Sequence, residues 1–357
     1  MSAAELLAGK RTCICVGAGG VGKTTTAAAI ALGMAAQGQK VAVVTIDPAR
    51  RLANALGLEQ LENDPRLVSP DRLPGVELRG ELWAMMLDPK RTFDELIERL
   101  APSPERAEEI KRNRVYRELS SAVSGSQEFT AIEKLYELAE ADFDLLVLDT
   151  PPAHSAAEFL NAPGRLTAFL GGGALQALLR PTGVGMRLLG LGAGPVLAAL
   201  KLVTGVDLVS DVTTFFTLLG GMTEQFNARA ARVEQLLHAP ETAFVLVTSA
   251  QDRPVEEAVW FRESLRRDRM PFSGAIVNRV NPPVSLGEVP LDLPKDLRAR
   301  LAECTSDHAV LAERDAANIR RLQSAFLDEP ILQVPDLPDD IHDIAGLLAI
   351  YRVLFDE

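Results

Sequence analysis

Seven short apolar runs punctuate the chain: TCICV (12–16), VAVVTI (41–46), LWAMML (82–87), LLVLD (145–149), FVLVTS (244–249), GAIVN (274–278) and ILQV (331–334). Within each run the apolar residues are continuous rather than alternating, the pattern of strands covered on both faces in a parallel sheet. Helical spacing fills most of the intervals. The expected fold class is therefore α/β, a doubly wound, mostly parallel sheet of seven or eight strands. Two stretches break the alternation, at about 91–140 and about 163–238. They read as helical insertions that form one subdomain, facing a client or partner, within a single domain over 1–357.

The two insertions differ in character. The first is charged, with Ser126 positioned to cap the helix of SQEFTAIEKLYELAE. The second is apolar and Gly-rich, and between Leu166 and Met222 its only charges are Arg180, Arg187, Lys201, Asp207 and Asp211. From Leu208 onward, Val212, Phe215, Leu219, Met222 and Phe226 recur at helical spacing and share one stripe. Such a stripe is either core or an apolar groove. The glycines clustered at 171–173, 190–194 and 220–221 weaken helices and favour the groove, in which Phe215, Leu219 and Met222 face a hydrophobic client. Further on, NPPVSLGEVPLDLPKD (281–296) reads as a Pro-rich connector, and Pro294–Phe326 as a charge-laced helical segment, one helix or a pair.

Composition narrows the classes. A net charge of −12 over 357 residues argues against a nucleic-acid partner, which requires a basic face to release counterions. Cys13, Cys15 and Cys304 provide neither a disulfide framework nor a CxxC pair, as expected for a reducing compartment. Cys13 and Cys15 point to one face of a strand and read as core. The uncharged runs Leu166–Leu179 and Leu188–Leu200 fall short of the ~20 residues of a membrane helix, and MSAAELLAGKRTC has no secretory pattern. A cytoplasmic protein is expected.

Four places carry candidate chemistry. Gly17-Ala18-Gly19-Gly20-Val21-Gly22-Lys23-Thr24 satisfies GxxxxGK[ST] between an expected strand and an expected helix. There, backbone N–H groups can wrap phosphates, Lys23 can reach the β- and γ-phosphates, and the Thr24 hydroxyl can ligate Mg²⁺. Asp47, in TIDPARRLA, stands at a strand's carboxyl end; it either orients a water for attack on the γ-phosphate or caps a helix starting near Pro48. Asp149 ends the most apolar strand, where it can hold Mg²⁺ through water or close a turn. Asn278, ending GAIVN, has both donor and acceptor to offer a base edge. His154 reads as a surface hydrogen-bonding residue.

Together, GAGGVGKTTTAAAIA, TIDPARRLA, DTPPAHSAAEFL and IVNRVNP resemble the ArsA-type ATPases, a family spanning arsenite-pump ATPases and the guided-entry ATPases that deliver tail-anchored membrane proteins. The likeness runs through nearly the whole chain, and the actinobacterial-type members look nearest in pattern. It implies a P-loop NTPase fold of the SIMIBI type, ATP and Mg²⁺ as ligands, and a dimeric ATPase acting on a hydrophobic client. By position, the resemblance gives phosphate and Mg²⁺ contacts to Gly17, Gly19, Gly20, Val21, Gly22, Lys23, Thr24 and Thr25. It makes Asp47 and Lys23 catalytic, starts the second switch at Asp149, and sets Asn278, Val334 and Pro335 around the adenine.

The alternatives are the energising subunit of an anion pump and a low-turnover, nucleotide-binding scaffold subunit. The implied partners are a second copy or a paralogous ATPase, together with a transient membrane partner. Three departures stand out. Ala18 occupies the position of a signature lysine that reaches the partner subunit's nucleotide; Arg50, Arg51 or a lysine from a different subunit would have to replace it. The CxxC of the eukaryotic dimer interface is missing. Cys304 alone cannot form a thiolate cluster for arsenite.

Overall fold

The computed structural model describes every residue except 48, 115, 118–125, 151–213, 216, 220–221, 285–293, 338–342 and 356–357. His154, most of the Leu166–Met222 segment with its glycine clusters, and most of the Pro-rich connector lie outside the described residues.

Each of the seven apolar runs is a strand: β1 Thr12–Val16, β2 Lys40–Thr45, β4 Glu81–Met86, β5 Leu145–Asp149, β6 Thr242–Ser249, β7 Phe272–Val280 and β8 Ile331–Pro335. An eighth, β3, is the two-residue Arg66–Leu67, antiparallel to β4 at the edge of the sheet. The spatial order is β3-β4-β2-β5-β1-β6-β7-β8, and every other neighbouring pair is parallel. The chain leaves β1 for β2 on one side, with β5 inserted between them, and later returns through β5 to continue from β6 on the other. This reversal at β1 is the switch point at which open α/β sheets form their ligand crevice.

The chain divides into two compact units. One, comprising Met1–Leu87, Glu137–Ala157 and Leu237–Glu357, holds the sheet; the other comprises Asp88–Tyr136 and Glu158–Leu236.

In the sheet-bearing unit a short capped helix, α1 (Ala3–Leu6), precedes β1, and α2 (Lys23–Ala36) lies against the sheet. The sequence of α2, KTTTAAAIALGMAA, has small residues on all sides, and every residue but Thr25 is buried. A helix apolar around its whole circumference belongs between layers. It packs between the sheet and the C-terminal helix (Ile344–Phe355) in one core cluster. Asp252–Arg267 packs on β6, and the segment from Lys295 forms one 32-residue helix to Phe326 rather than a pair.

The second unit contains α4 (Pro89–Leu100) and α5 (Pro104–Arg112), which follow α3 (Arg51–Ala55) of the first. Asp88 and Ser103 accept hydrogen bonds from the backbone N–H groups of Arg91 and Arg106, and a proline opens each helix. A longer helix runs Ser126–Ala139, and Glu133 on it pairs with Arg229 at 2.6 Å. Of the apolar stripe of the second insertion, the structure describes four members. Phe215, Leu219 and Met222 are 2%, 5% and 0% exposed, and Phe226 is buried with them. Among the described residues these side chains pack as core, in place of the open groove expected of them. Burying each such side chain contributes roughly 1.5–3 kcal/mol, and sequence spacing does not distinguish that gain from an open stripe.

Gly33 tests the packing of the central helix. A methyl group there would collide with the Phe355 ring. Gly33→Ala is expected to destabilise the protein by about 1–3 kcal/mol, despite alanine's better helix propensity, because overpacking outweighs it. In a Phe355→Leu background the same change should cost less. Urea unfolding of the four proteins measures the coupling, and equal costs in both backgrounds would refute the contact.

Candidate active site

The phosphate loop is the six residues between β1 and α2 together with the first two residues of α2. Gly17 has φ +149°, and a Cβ there would strike the carbonyl oxygen of Val247. Gly22 has φ +92°, and a Cβ there would strike the side-chain amide of Asn278. Only glycine fits both positions. Gly22 caps α2 without any side-chain hydrogen bond, so the first N–H groups of the helix remain available to an anion.

Lys23 bends back over the loop, its Nζ donating to the carbonyl oxygens of Gly17 (2.9 Å) and Ala18 (2.7 Å). Burial holds its pKa below the usual lysine value, against the opposing pull of Asp149. The Ala18 side chain packs against the core cluster.

The carboxyl ends of β2 and β5 adjoin through a side-chain bridge. Thr45 pairs in register with Asp149, and its Oγ1 donates to Asp149 Oδ2 at 2.8 Å. The same hydroxyl accepts the Asp47 N–H at 3.2 Å. Asp149 is 1% exposed, and its second oxygen, Oδ1, is buried with no hydrogen-bond partner. Burial pushes this carboxyl up to about 6, against the lowering effect of the Thr24 and Thr45 hydroxyls and of Lys23. An orphaned buried carboxylate oxygen is costly, and a ligand that supplies a donor or a charge relieves it. With the Thr24 hydroxyl, the donor set is all oxygen, which suits a hard cation such as Mg²⁺ that keeps several waters and takes the rest of its shell from substrate phosphates.

Asp47 closes a turn rather than capping a helix. Its Oδ1 accepts the Ala49 N–H at 2.9 Å, whereas the helix begins only at Arg51, with Arg50 as its cap residue. Its Oδ2 lies 3.4 Å from Arg51, whose side chain is 61% exposed, so this pair holds the carboxylate weakly.

The phosphate loop, the start of α2 and Asp47 converge on one cleft of about 320 Å³, while Asp149 is buried and is not among its lining residues. Gly20, Gly22, Lys23, Thr24, Thr25 and Asp47 line it, each a residue selected from the sequence. Arg51, Asn54, Thr150 and Arg279 line it as well. Thr150 is tied down by its Oγ1, which donates to the Cys15 carbonyl oxygen at 2.8 Å. Gly19 is exposed in the loop and Val21 is buried beneath it.

The residues expected around the adenine lie in three different settings. Asn278 is 3% exposed; its Nδ2 donates to the Val21 carbonyl oxygen at 2.9 Å, and its Oδ1 accepts the Arg279 N–H. In this structure Asn278 braces the phosphate loop. Val334 is fully buried in the core cluster and presents no exposed surface in this structure. Pro335 lines a second cavity, of about 300 Å³, with Val280, Asn281, Ala316 and Gln333.

Comparison with known proteins accords with this site. A family model described as an anion-transporting ATPase matches residues 10–356. The chain is 25% identical to ATPase get3 of Schizosaccharomyces pombe over 340 residues, 95% of this chain and 89% of that one. It is 26% identical to ATPase BagA of Mycobacterium tuberculosis over 350 residues, 96% of this chain and 79% of that one. A shorter match, 32% identical over 148 residues, covers 41% of this chain and 42% of ATPase get3 of Schizosaccharomyces japonicus. A phosphate loop set at the switch point of this sheet, within a match of that extent, makes the chain a member of the ArsA-type ATPase family and an ATP-hydrolysing P-loop enzyme.

Proposed function

We propose that this ATPase is Mg²⁺-dependent, acts as a dimer, and uses ATP turnover to handle a hydrophobic client, with membrane-protein segments the favoured class. The observation carrying the nucleotide chemistry is the cleft itself, lined by Lys23, Thr24 and Asp47 together with the phosphate-loop glycines Gly20 and Gly22. The relatives named get3 and the family's guided-entry branch support the client.

On ATP binding, Lys23 exchanges the carbonyl oxygens of Gly17 and Ala18 for phosphate oxygens, while the N–H groups at the start of α2 take the remaining charge. Thr24 and Asp149 would hold Mg²⁺, which would supply neutralisation of phosphate charge. Asp149 must be ionised for this role. Asp47 orients the attacking water, since its carboxylate lines the cleft and is restrained only by a turn and a weak ion pair. A second reading, the energising subunit of an anion pump, draws on the description of the matching family model.

The two readings separate in one experiment. The purified protein is mixed with a peptide carrying a single apolar membrane segment, with ATP or ADP, and capture is measured beside phosphate release. Nucleotide-dependent capture supports the client reading. Normal phosphate release without capture in either nucleotide rejects it in favour of the pump.

Asp47→Asn should leave ATP affinity within about threefold and slow phosphate release by about a hundredfold or more, because it removes a water-positioning charge rather than a phosphate contact. Lost affinity with unchanged turnover of the bound fraction would show that the role is wrong.

The pH dependence of ligand-free stability reports on Asp149. Because its folded-state pKa is raised from 3.8 to about 6, the folded protein holds this proton more tightly than the unfolded chain. The penalty for the buried charge is complete above about pH 6 and vanishes below about pH 4. Asp149→Asn should therefore raise ligand-free stability near neutral pH, by an amount on the order of 2–3 kcal/mol, and the gain should fade on acidification. Urea midpoints across the pH range measure this. A gain that did not vary with pH would contradict it.

A further inference from the structure

One cation in the cleft has no role in this mechanism. Arg279 is the penultimate residue of β7, flanked by the buried Asn278 and Val280, yet it is exposed and lines the phosphate-loop cleft. The cause is local. The pairing of β7 with β8 shifts register between Val277 and Val280, and Arg279 has φ +55°, a left-handed conformation that a non-glycine residue adopts at a cost. A bulge at the end of a strand re-aims a side chain, and bulges concentrate beside active sites. The distortion is fixed in place, since the Arg279 N–H donates to Asn278 Oδ1 at 3.0 Å while Asn278 Nδ2 holds the phosphate loop through Val21.

The other cations of the cleft have partners within it: Lys23 is bound to two loop carbonyl oxygens, and Arg51 is weakly paired with Asp47. The Arg279 guanidinium makes no hydrogen bond or ion pair with any described residue. A strained backbone that delivers an unpaired guanidinium into an anion-binding cleft is accounted for by a ligand that is itself an anion.

We propose that Arg279 is a nucleotide-binding residue, its guanidinium pairing, within the same protomer, with the phosphate chain of the bound nucleotide. The inference rests on the nucleotide reading above. It gives this chain a cation at the phosphates that does not depend on position 18, where alanine stands.

The test is equilibrium binding of Mg²⁺-ATP and of Mg²⁺-tripolyphosphate to the intact protein and to Arg279→Gly and Arg279→Lys, with the ligand-free thermal midpoint measured for each. Glycine occupies φ +55° without strain, so Arg279→Gly should melt no lower than the unaltered protein while binding both ligands about tenfold or more weakly. Arg279→Lys should retain part of the affinity for both.

Unchanged affinity of Arg279→Gly for both ligands overturns the proposal and leaves the nucleotide reading standing. Weakened ATP binding with unchanged tripolyphosphate binding also overturns it, assigning Arg279 to the nucleoside instead. A joint loss of affinity and ligand-free stability makes Arg279 a structural residue and rejects it too. If the unaltered protein binds neither ligand, the nucleotide reading falls along with this inference.

Discussion

A sheet buried on both faces leaves only its edges and strand ends for polar groups, and the arrangement of this molecule follows from that constraint. β1, β2 and β5 lie side by side and parallel, so their polar termini meet at one edge whatever the length of chain between them. The hydrogen bond from Thr45 to Asp149 is the visible result: two strand-ending residues separated by 104 positions sit in register, and the hydroxyl of one donates to the carboxylate of the other. The phosphate loop, the Asp47 turn and the Asp149 carboxylate need no further device to bring them together.

The same burial sets the electrostatics. Lys23 is pushed toward its neutral form and Asp149 toward its protonated form, each by desolvation and each opposed by the charge of the other. Neither is well satisfied alone. Lys23 takes two loop carbonyl oxygens as substitutes, and one oxygen of Asp149 takes nothing. The ligand-free site therefore holds unmet electrostatic demand, and a metal-bound polyphosphate can meet both halves of it at once.

The strands were legible because short continuous apolar runs, separated by helical spacing, suit strands buried on both faces. β3 was not, since two exposed residues, Arg66 and Leu67, carry no burial pattern to read. The phosphate loop, Asp47 and Asp149 were legible because their chemistry depends on residue type at fixed spacing. The sequence did not distinguish packing directions. Phe215, Leu219 and Met222 share a stripe in either reading, and only burial decides between core and groove. Val334 sits next to Pro335 but faces the core. Arg279 escaped notice because strand alternation assigns it no orientation of interest, and the bulge that turns it into the cleft arises from register with β8, which no local window contains.

The close approach of Gly22 to Asn278 has an evolutionary consequence. A side chain at 22 would occupy the space of the amide, and a different side chain at 278 would release the carbonyl of Val21. The two positions form one unit of variation, so neither drifts freely while the other is kept. Lineages that replace the asparagine must restore the brace from some other part of the chain, or evolve a phosphate loop that holds its shape without one.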